Sequence, residues 1–466
     1  MGVTARLADY FGFEEHGTDL ATEVRAGVTT FLTMSYIVVV NPAIMVDQPG
    51  TEFLDGIAVE GVSAAQLEQK LAVITILAAF TATLIMALYA NRPFAQAPGL
   101  GLNAFFAFTV VGALGVPWQT ALAAVVVEGV IFLLLTVAGA RKYIIEAFPE
   151  PVKFAVGAGI GAFLAIIGLE AMGIVVSDPA TYVTLGDVAS DPVAILSVVG
   201  LFFTLALYAR GIRGSIIIGI VTTTLAGAVV TFLGLVDPGV VASPAVQNGG
   251  FDASQLTSPD YNIAPLGGAF VSGLVGAPAA NLDAFAFGLI VFTFFFVDFF
   301  DTAGTLTGVG QAAGFLDREG NLPEIEKPLL SDAVGTTFGG MLGTSTVTTY
   351  IESATGVEEG GRTGMTALVV AGLFLASLAL VPLAAIIPLY ASHDVTQAAP
   401  AGMTVLIMPF TFNIGYGIAA GIITYPIVKA ATGEFEDIRP LQVVLAALFV
   451  VYFFVRTGGV LSGIGG

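Results

Sequence analysis

The stretch Gln96-Ala-Pro-Gly-Leu-Gly-Leu-Asn103 decides the fold, because it breaks the helical pattern inside a long apolar segment. A second break, Leu342-Gly-Thr-Ser-Thr-Val-Thr-Thr-Tyr350, falls at the corresponding place in the second half of the chain. Pro and Gly in the first break, and β-branched Thr and Val in the second, favour extended backbone over helix. We therefore expect two short extended segments; the alternative is ordinary packing of Gly-rich helices.

Apolar residues dominate the chain around both breaks. Hydrophobic residues make up 56% of the 466 and charged residues only 11%, whereas a soluble domain carries about 25% charged residues. Runs such as 71–90 and 368–388 approach the roughly 20 residues that a helix needs to cross a bilayer. They lack the polar alternation of barrel strands, so they predict helices. We therefore predict an all-α polytopic protein of the cell membrane.

The apolar runs fall into two sets, separated by a loop rich in Gly, Pro, Ser and Asn. The predicted map has a lead-in at 1–25, spans 1–4 in 26–139, spans 5–7 in 152–235, an extracellular loop at 236–283, spans 8–11 in 284–389 and a shortened end at 400–456. With the N-terminus in the cytoplasm, nearly all Lys and Arg residues before residue 390 lie on the cytoplasmic side, Lys70 excepted. Inner loops of membrane proteins show this bias.

The chain is strongly acidic, with 35 Asp and Glu against 15 Lys and Arg and a formal net charge of −20. The acids crowd into predicted loops such as Asp47–Glu68 and Asp317–Asp332. A hydrated acidic surface of this kind suits a salty, halophilic setting. The sign of the charge argues against nucleic acid as a partner.

No catalytic or metal-binding set is visible. The chain has no Cys, and its two His residues, His16 and His393, lie in predicted loops. Disulfides, thiolate chemistry and Cys-ligated metals are therefore excluded. Neither an HExxH motif, a phosphate-binding loop nor a Ser/His/Asp set is present. We expect no metal, no cofactor and no enzymatic activity.

Two carboxylates stand inside an apolar helical pattern. In Phe292-Thr-Phe-Phe-Phe-Val-Asp-Phe-Phe-Asp301, Asp298 and Asp301 are three residues apart and share one helix face. A charge at this depth costs about 2.5–3.5 kcal/mol even on insertion scales, so both should face a protein-lined cavity. A shared proton or cation would relieve their repulsion and allow cation coupling. The alternative is a purely structural hydrogen-bonded pair between helices.

The two breaks supply further candidate ligands, since paired interruptions in two halves point to a transporter's binding site. Glu352 follows the second break, where Ile351 would begin a half-helix with its N–H groups turned toward the site. Asn103 is its counterpart, with an amide that both donates and accepts. Glu128, in the fourth span, is expected to be structural. The backbone expected to line the site belongs to Gly99, Gly101, Thr349 and Ile351.

Three long motifs carry a resemblance to a known family: Ala97-Pro-Gly-Leu-Gly-Leu-Asn-Ala-Phe-Phe-Ala107, Phe296-Val-Asp-Phe-Phe-Asp-Thr-Ala-Gly-Thr305 and Gly343-Thr-Ser-Thr-Val-Thr-Thr-Tyr-Ile-Glu-Ser353. Two shorter stretches, Met34–Pro42 and Gly356–Gly364, add to the match. Over nearly its whole length the chain resembles the nucleobase–cation symporter-2 family. More narrowly, it resembles the AzgA-like branch of hypoxanthine, adenine and guanine permeases.

The resemblance implies two inverted repeats of about seven spans, divided into a core and a gate domain, with short antiparallel strands paired between spans 3 and 10. It implies substrate contacts at Asp298 and Glu352, with Asn103 and Asp301 in supporting roles. Asp301 and Asp298 would couple cation binding to purine uptake by alternating access. The implied partners are a purine nucleobase, H⁺ or Na⁺ and the lipid bilayer. Association of two copies into a homodimer is left open.

One departure from the family concerns the second gate repeat. Leu389-Tyr-Ala-Ser-His-Asp-Val-Thr-Gln397 leads directly to Ala401, where the family has a further stretch of about 25 residues, enough for one span. We therefore expect one gate span to be missing.

Two other functions stay open. One is an inorganic-anion transporter of the same fold, which three carboxylates disfavour because they would repel an anion. The other is a membrane protein that binds nucleobases without transporting them.

Overall fold

The computed structural model describes residues 3–47, 56–140, 191–209, 215–237, 261–276, 284–318, 322–386 and 438–457, with short pieces and single residues within 159–185, at 212, within 240–251 and at 422. Six helical segments in these ranges are long and apolar enough to cross a membrane: Leu20–Met45, Ala64–Ala90, Trp118–Val137, Ser215–Phe232, Ala284–Gln311 and Gly364–Val381. The prediction of a multi-pass helical membrane protein is thereby confirmed.

The first half begins with two short helices and continues with longer ones. Its elements are α1 (Val3–Phe11), α2 (Phe13–His16), α3 (Leu20–Met34), α4 (Ile37–Met45), α5 (Ala64–Ile85), β1 (Gln96–Pro98), α6 (Leu100–Ala104), α7 (Trp118–Val137), β2 (Val175–Asp178), β3 (Tyr182–Leu185), α8 (Pro192–Ala209) and α9 (Ser215–Phe232). Two π-helical segments, Met86–Ala90 and Phe105–Ala113, continue α5 and α6. Such segments are rare and often occur at functional sites.

The second half is built around the long helix that carries the paired carboxylates. Its elements are β4 (Val246–Gln247), β5 (Gly250–Phe251), α10 (Ala269–Gly276), α11 (Ala284–Ala312), α12 (Glu326–Leu342), β6 (Val347–Thr349), α13 (Ser353–Glu358), α14 (Gly364–Ala376) and α15 (Pro440–Thr457). α12 ends at Leu342 and is capped by Gly343, whose φ of 113° favours glycine. This turn directs the chain out of the helix and into the second break.

The first span begins earlier than predicted. Asp19 caps α3 by accepting a hydrogen bond from the backbone N–H of Thr22 (2.9 Å), and this bond lowers the pKa of the Asp19 carboxyl. α3 therefore starts inside the predicted lead-in at 1–25. Glu23, which the lead-in contained, is fully buried and accepts from the backbone N–H of Thr366 (3.0 Å) at the start of α14. Carboxylates are stabilised at helix N-termini, so this acid joins α3 to α14.

Glycines let the helices around the centre approach closely. α7 lies against α12, where a Cβ on Gly129 would come within 2.7 Å of the Thr337 backbone. A Cβ on Gly340 would lie 2.9 Å from Val126. Such contact through small residues is typical of helix packing in membranes. The close packing of α7 on α12 means that protein, and not lipid, covers this side of the two breaks.

Several features differ from the predicted map or fall beyond it. The hairpin β2–β3 follows the predicted fifth span and was not foreseen. The predicted loop at 236–283 contains α10, which packs against α7. His16 ends helix α2 instead of lying in a loop. Most of the spans predicted at 152–174 and 400–427, His393 and the missing gate span lie outside the described residues.

Candidate functional site

The two sequence breaks meet as a pair of short antiparallel strands. β1 pairs with β6 in the register Gln96↔Thr349, Ala97↔Thr348 and Pro98↔Val347. Two more backbone bonds of 3.0 Å extend the pair, from Gly99 N to Thr346 O and from Tyr350 N to Ala95 O. All strand residues are buried, and backbone groups away from water must find partners inside the protein. The extended segments expected in spans 3 and 10 are confirmed.

Buried polar side chains fasten the strand pair to α5 and α12. Gln96 Nε2 donates to Thr349 Oγ1 across the pair (3.1 Å), while Gln96 Oε1 accepts from Ser331 Oγ of α12 (2.7 Å). On α5, the Thr83 hydroxyl accepts from Gln96 N and donates to Gln96 O, both at 3.0 Å. The strands are therefore held from two helices, which fixes the backbone that lines the site.

Gly99 lies at the point where β1 meets the carboxylate helix. A Cβ at this position would be 2.8 Å from Thr348 Cγ2 and 3.5 Å from Asp301 Oδ2. The close packing of Gly99 on Thr348 therefore depends on the missing side chain, and Asp301 lies within van der Waals reach of the same position. Gly101 is buried in α6 and Thr349 is buried in β6, whereas Ile351 is 43% exposed.

Asp298 belongs to a buried network that joins α11, α12 and β6. The Thr302 hydroxyl lies 3.3 Å from Asp298 Oδ1, 2.9 Å from Asp332 Oδ1 and 2.9 Å from Thr348 Oγ1. All four side chains are buried. A hydroxyl has one proton and two lone pairs, so Thr302 donates to one carboxylate at a time and can accept from the Thr348 hydroxyl. It can accept from the other acid only when that acid carries a proton. The predicted hydrated acidic loop at Asp317–Asp332 is thus wrong from Glu326 onward, because α12 begins there and carries Asp332 into the core.

Aromatic rings surround the helix that carries these acids. Phe295 of α11 packs on Phe132 of α7 with ring centroids 4.5 Å apart, and Phe296 packs edge-on against Phe449 of α15, also at 4.5 Å. Phe294 meets Phe105 of the π-helical segment at 4.9 Å. Apolar rings thus cover α11 on the sides of α7, α15 and the π-helical segment, and a low local dielectric strengthens the polar contacts made on its other sides.

Asp301 lies on the same helix as Asp298 but in different surroundings. Its side chain is partly exposed and lies beside Gly99. The charges of Asp332 and Glu352 both act on it. Asp301 is therefore subject to the charges of both the Asp298 network and Glu352, and repulsion between like charges favours binding of a proton or a cation.

Glu352 follows β6 and contacts the first span. The Tyr36 hydroxyl, at the junction of α3 and α4, donates to Glu352 Oε1 over 2.5 Å. Helix α13 begins at Ser353, with Glu352 as its N-cap residue, so the half-helix starts two residues later than Ile351. Glu352 is only partly buried, which leaves its carboxylate within reach of a ligand.

Asn103 lies at the opposite end of β6 from Glu352. Its Oδ1 accepts a hydrogen bond from the Ser345 hydroxyl, just before the strand begins. Glu128 Oε2 accepts from the neighbouring Thr346 hydroxyl (3.2 Å), a contact in keeping with its expected structural role. The structure therefore groups Asn103 with Ser345 and Thr346, and it does not bring Asn103 together with Glu352.

Two buried amide atoms at this end lack a hydrogen-bond partner within the part of the chain that the structure describes. One is Asn103 Nδ2, and the other is Asn41 Oδ1 of α4. Asn41 Nδ2 donates to Thr75 Oγ1 (2.6 Å) and to Thr344 Oγ1 (3.0 Å). Nearly all buried polar atoms in proteins are satisfied, so these two atoms are candidates to meet a ligand or to pair in another conformation.

Several contributors to the site were not predicted, among them Thr302, Ser345, Tyr36 and Asp332. Thr302 could have been found, since it lies four residues after Asp298 and therefore on its helix face. Ser345 lies inside the second break, and Tyr36 lies inside the Met34–Pro42 stretch, but neither has a local pattern that indicates a ligand. Asp332 was hidden because it ends an acidic run.

Comparison with known proteins identifies close relatives. The sequence profile of the permease family matches residues 21–408. A putative permease of Methanocaldococcus jannaschii is 41% identical over 469 residues, covering 96% of this chain and 98% of its own. The adenine permease AdeP of Escherichia coli is 38% identical and covers 96% and 95%. The guanine/hypoxanthine permease PbuO of Bacillus subtilis is 37% identical and covers 96% and 100%.

Among solved structures, the transmembrane domain of a cyanobacterium bicarbonate transporter, BicA, matches with a TM-score of 0.52. The identity is 15%, and the match covers 93% of this chain and 96% of that domain. At this identity the likeness concerns the fold alone. It confirms the prediction of a helical membrane fold built from two inverted repeats.

Proposed function

The chain belongs to the xanthine/uracil permease family, and on this premise we propose that it carries purine nucleobases into the cell by cation-coupled alternating access. Family membership confirms the resemblance found in the sequence motifs, and with it the expectation of a transporter and not an enzyme. Relatives named as adenine and guanine/hypoxanthine permeases match over almost their full length. Purines are therefore the substrate class that we assign.

One observation carries the proposal: Asp298 and Asp301 of α11 and Glu352, which follows β6, all lie around the same strand pair. An ionised carboxylate only accepts hydrogen bonds, whereas an amide also donates them. Glu352 and Asp298 would therefore accept N–H groups of the purine. Asn103 lies at the other end of β6, where its Oδ1 accepts from the Ser345 hydroxyl, so its role would be to support that end of the strand pair and not to contact the purine beside Glu352.

Cation coupling is assigned to Asp298 and Asp301, with Asp332 as a third acid. The Thr302 hydroxyl lies within 3.3 Å of Asp298 and 2.9 Å of Asp332, so one proton or cation can be shared between the two. Asp301 repels Asp332 and Glu352 while all are charged. A bound H⁺ or Na⁺ removes part of this repulsion and prepares Glu352 for a neutral purine.

Transport would proceed by movement of a core domain (26–139 and 284–389) against a gate domain (152–235 and 400–456), as in other inverted-repeat transporters. We place the N-terminus in the cytoplasm. In support, Arg92 donates to Pro323 O (2.8 Å), and Asn91 contacts both Phe11 and Gly364. These contacts bring the N-terminal helices to the same end as loops whose basic residues the positive-inside rule assigns to the cytoplasm. A homodimer is part of the same proposal.

The test is uptake of radiolabelled hypoxanthine into proteoliposomes, with imposed H⁺ or Na⁺ gradients. Adenine, guanine, uracil and sulfate serve as competitors. We expect accumulation that purines block and sulfate does not, driven by one of the two gradients. Glu352→Ala should abolish purine binding while the protein still unfolds cooperatively. Glu324→Ala, an exposed acid paired with Lys327, is the matched control and should bind normally.

An inorganic-anion transporter is the second candidate, because the BicA transmembrane domain shares the fold. Carboxylates at the strand pair oppose it, since they would repel an anion. Accumulation that sulfate blocks and purines do not would favour this candidate. Purine binding in detergent without accumulation would instead indicate a nucleobase-binding protein that does not transport.

A further inference from the structure

Tyr36 is a buried residue of the first span that contacts Glu352, a site residue in the second half of the chain. Its hydroxyl donates to Glu352 Oε1 over 2.5 Å, and its side chain is 1% exposed. The two residues are 316 positions apart. Glu352 therefore receives a hydrogen bond from the first span, which lies outside the two breaks and outside the carboxylate helix.

The Tyr36 hydroxyl is held in place because α3 packs along the segment that follows Glu352. Three positions before Tyr36, the Thr33 hydroxyl lies 3.1 Å from the Thr355 hydroxyl. The next residue, Gly356, lies so close to α3 that any side chain there would meet Thr30, which is about one helical turn before Thr33. Antiparallel contacts thus follow α3 from Tyr36 back toward its start. The donor cannot move away from Glu352 without separating these two segments.

The chemistry of the contact fits a positioning role. A carboxylate offers about four acceptor positions on its two oxygens, so Tyr36 can stay bonded while a purine N–H takes another position. A hydrogen bond to a charged group is shorter and about twice as strong as one between neutral groups. The tyrosine therefore restricts the rotation of the carboxylate and stabilises its ionised form. Both effects prepare Glu352 to accept an N–H group.

We propose that Tyr36 is a positioning residue for purine binding, which acts by orienting the Glu352 carboxylate from the first span. The inference rests on the proposed function, because it takes Glu352 as the substrate acceptor. It goes beyond that function by assigning part of the substrate affinity to a residue that lies outside the two breaks and outside the carboxylate helix.

The test compares purine binding by wild type and Tyr36→Phe in detergent, with Tyr261→Phe as the matched control. Tyr261 also donates its hydroxyl, to Leu378 O (3.1 Å), but away from the strand pair. We expect Tyr36→Phe to weaken hypoxanthine binding about tenfold, the scale of one hydrogen bond to a charged group, with Tyr261→Phe unchanged. In a Glu352→Gln background, the same Tyr36→Phe change should alter the affinity less than about twofold.

A pH profile separates positioning from general destabilisation. The titratable groups near Glu352 include Asp301 on α11 and the neutral Tyr350 beside β6, and the variant leaves both in place. Loss of the Tyr36 donor should move the acid limb of purine binding to higher pH, whereas an indirect loss of stability would lower binding at every pH. If Glu352→Gln leaves too little binding to measure, the cycle is repeated on the thermal unfolding midpoints without substrate, where the two changes should be non-additive.

Each outcome bears on one proposal or the other. Tyr36→Phe binding equal to wild type, or an equal loss in the Glu352→Gln background, overturns the role of Tyr36 and leaves the purine permease standing. Absence of purine binding by the wild type overturns the proposed function, and the role of Tyr36 with it. Weakened binding together with a shifted acid limb supports both.

Discussion

Thr302 Oγ1 lies 2.9 Å from Asp332 Oδ1, so a hydroxyl of α11 holds a carboxylate of α12 beside the strand pair. The same hydroxyl lies 3.3 Å from Asp298 Oδ1. Two buried acids on different helices are thus joined by one threonine, and a proton on either of them can be shared through it. A threonine between two carboxylates is a more selective target for mutation than the acids themselves, because its removal leaves the charges in place.

Replacement of Thr302 by Val keeps the shape of the side chain and removes the hydroxyl. We expect purine uptake to fall about tenfold or more, since a hydrogen bond to a charged group contributes about 1.5–3 kcal/mol. Thr307→Val is the control on the same helix, because Thr307 donates only to the helix carbonyl of Ala303 (2.7 Å) among the bonds described. Uptake is measured for both variants. Equal uptake by Thr302→Val and Thr307→Val would contradict a role for the hydroxyl that joins Asp298 and Asp332.

A methyl group at Gly99 tests how tightly the site is packed. The added Cβ would lie 2.8 Å from Thr348 Cγ2, closer than packed carbon atoms approach, so Gly99→Ala should separate β1 from β6 and abolish purine binding. Gly372→Ala in α14 meets nothing within 4 Å and should be neutral or slightly stabilising, because Ala favours helix over Gly by about 1 kcal/mol. Normal binding by Gly99→Ala would show that the strand pair is not part of the site.

Asp301→Asn separates coupling from binding. The neutral amide removes the repulsion from Asp332 and Glu352 but cannot take up or release a proton. Accumulation driven by a cation gradient should therefore fall strongly, while the dissociation constant for purine changes less than about tenfold, the scale of one neutral hydrogen bond. Uptake measured across pH checks the assignment, and an unchanged pH dependence in the variant would speak against it.

Glu23 supports the fold away from the substrate. Its buried carboxylate accepts from Thr366 Oγ1 (2.6 Å) as well as from backbone N–H groups at the start of α14. Glu23→Ala leaves these donors without a partner, so we expect a loss of about 2 kcal/mol in stability, with purine affinity unchanged in the folded fraction. Thermal unfolding provides the measurement. Glu14→Ala, at an exposed acid of α2, should leave the midpoint where it is.

The parts of the site that could be predicted are those with a local signal. Pro98 and the Thr and Val run near Val347 disfavour helix in their immediate surroundings, so the two breaks were visible in the sequence. The spacing of Asp298 and Asp301 likewise fixes their common helix face. Their surroundings could not be predicted, because the partners Asp332 and Thr348 come from other segments of the chain.

The position of Asn103 shows why the remaining geometry was out of reach. Sequence symmetry between the breaks predicted Asn103 as the counterpart of Glu352. In an antiparallel pair, however, the segments that follow the two strands leave from opposite ends. Asn103 therefore lies beside Ser345, at the start of β6, and Glu352 lies beyond its end. Contacts such as that of Tyr36 with Glu352 depend on how distant helices pack, and no local pattern records them.

The pairing of β1 with β6 also sets an order for synthesis of the chain. Gln96 and Thr349 are 253 residues apart, which corresponds to roughly 13 to 50 s of translation at about 5–20 residues per second. Throughout that interval the backbone of β1 has no strand partner, and hydrocarbon does not tolerate unpaired backbone groups. The third span therefore cannot be released into lipid as a finished element. We therefore expect β1 to stay shielded from lipid, by the insertion machinery or by spans already inserted, until the tenth span emerges. Two separately expressed halves would each lack half of the strand pair.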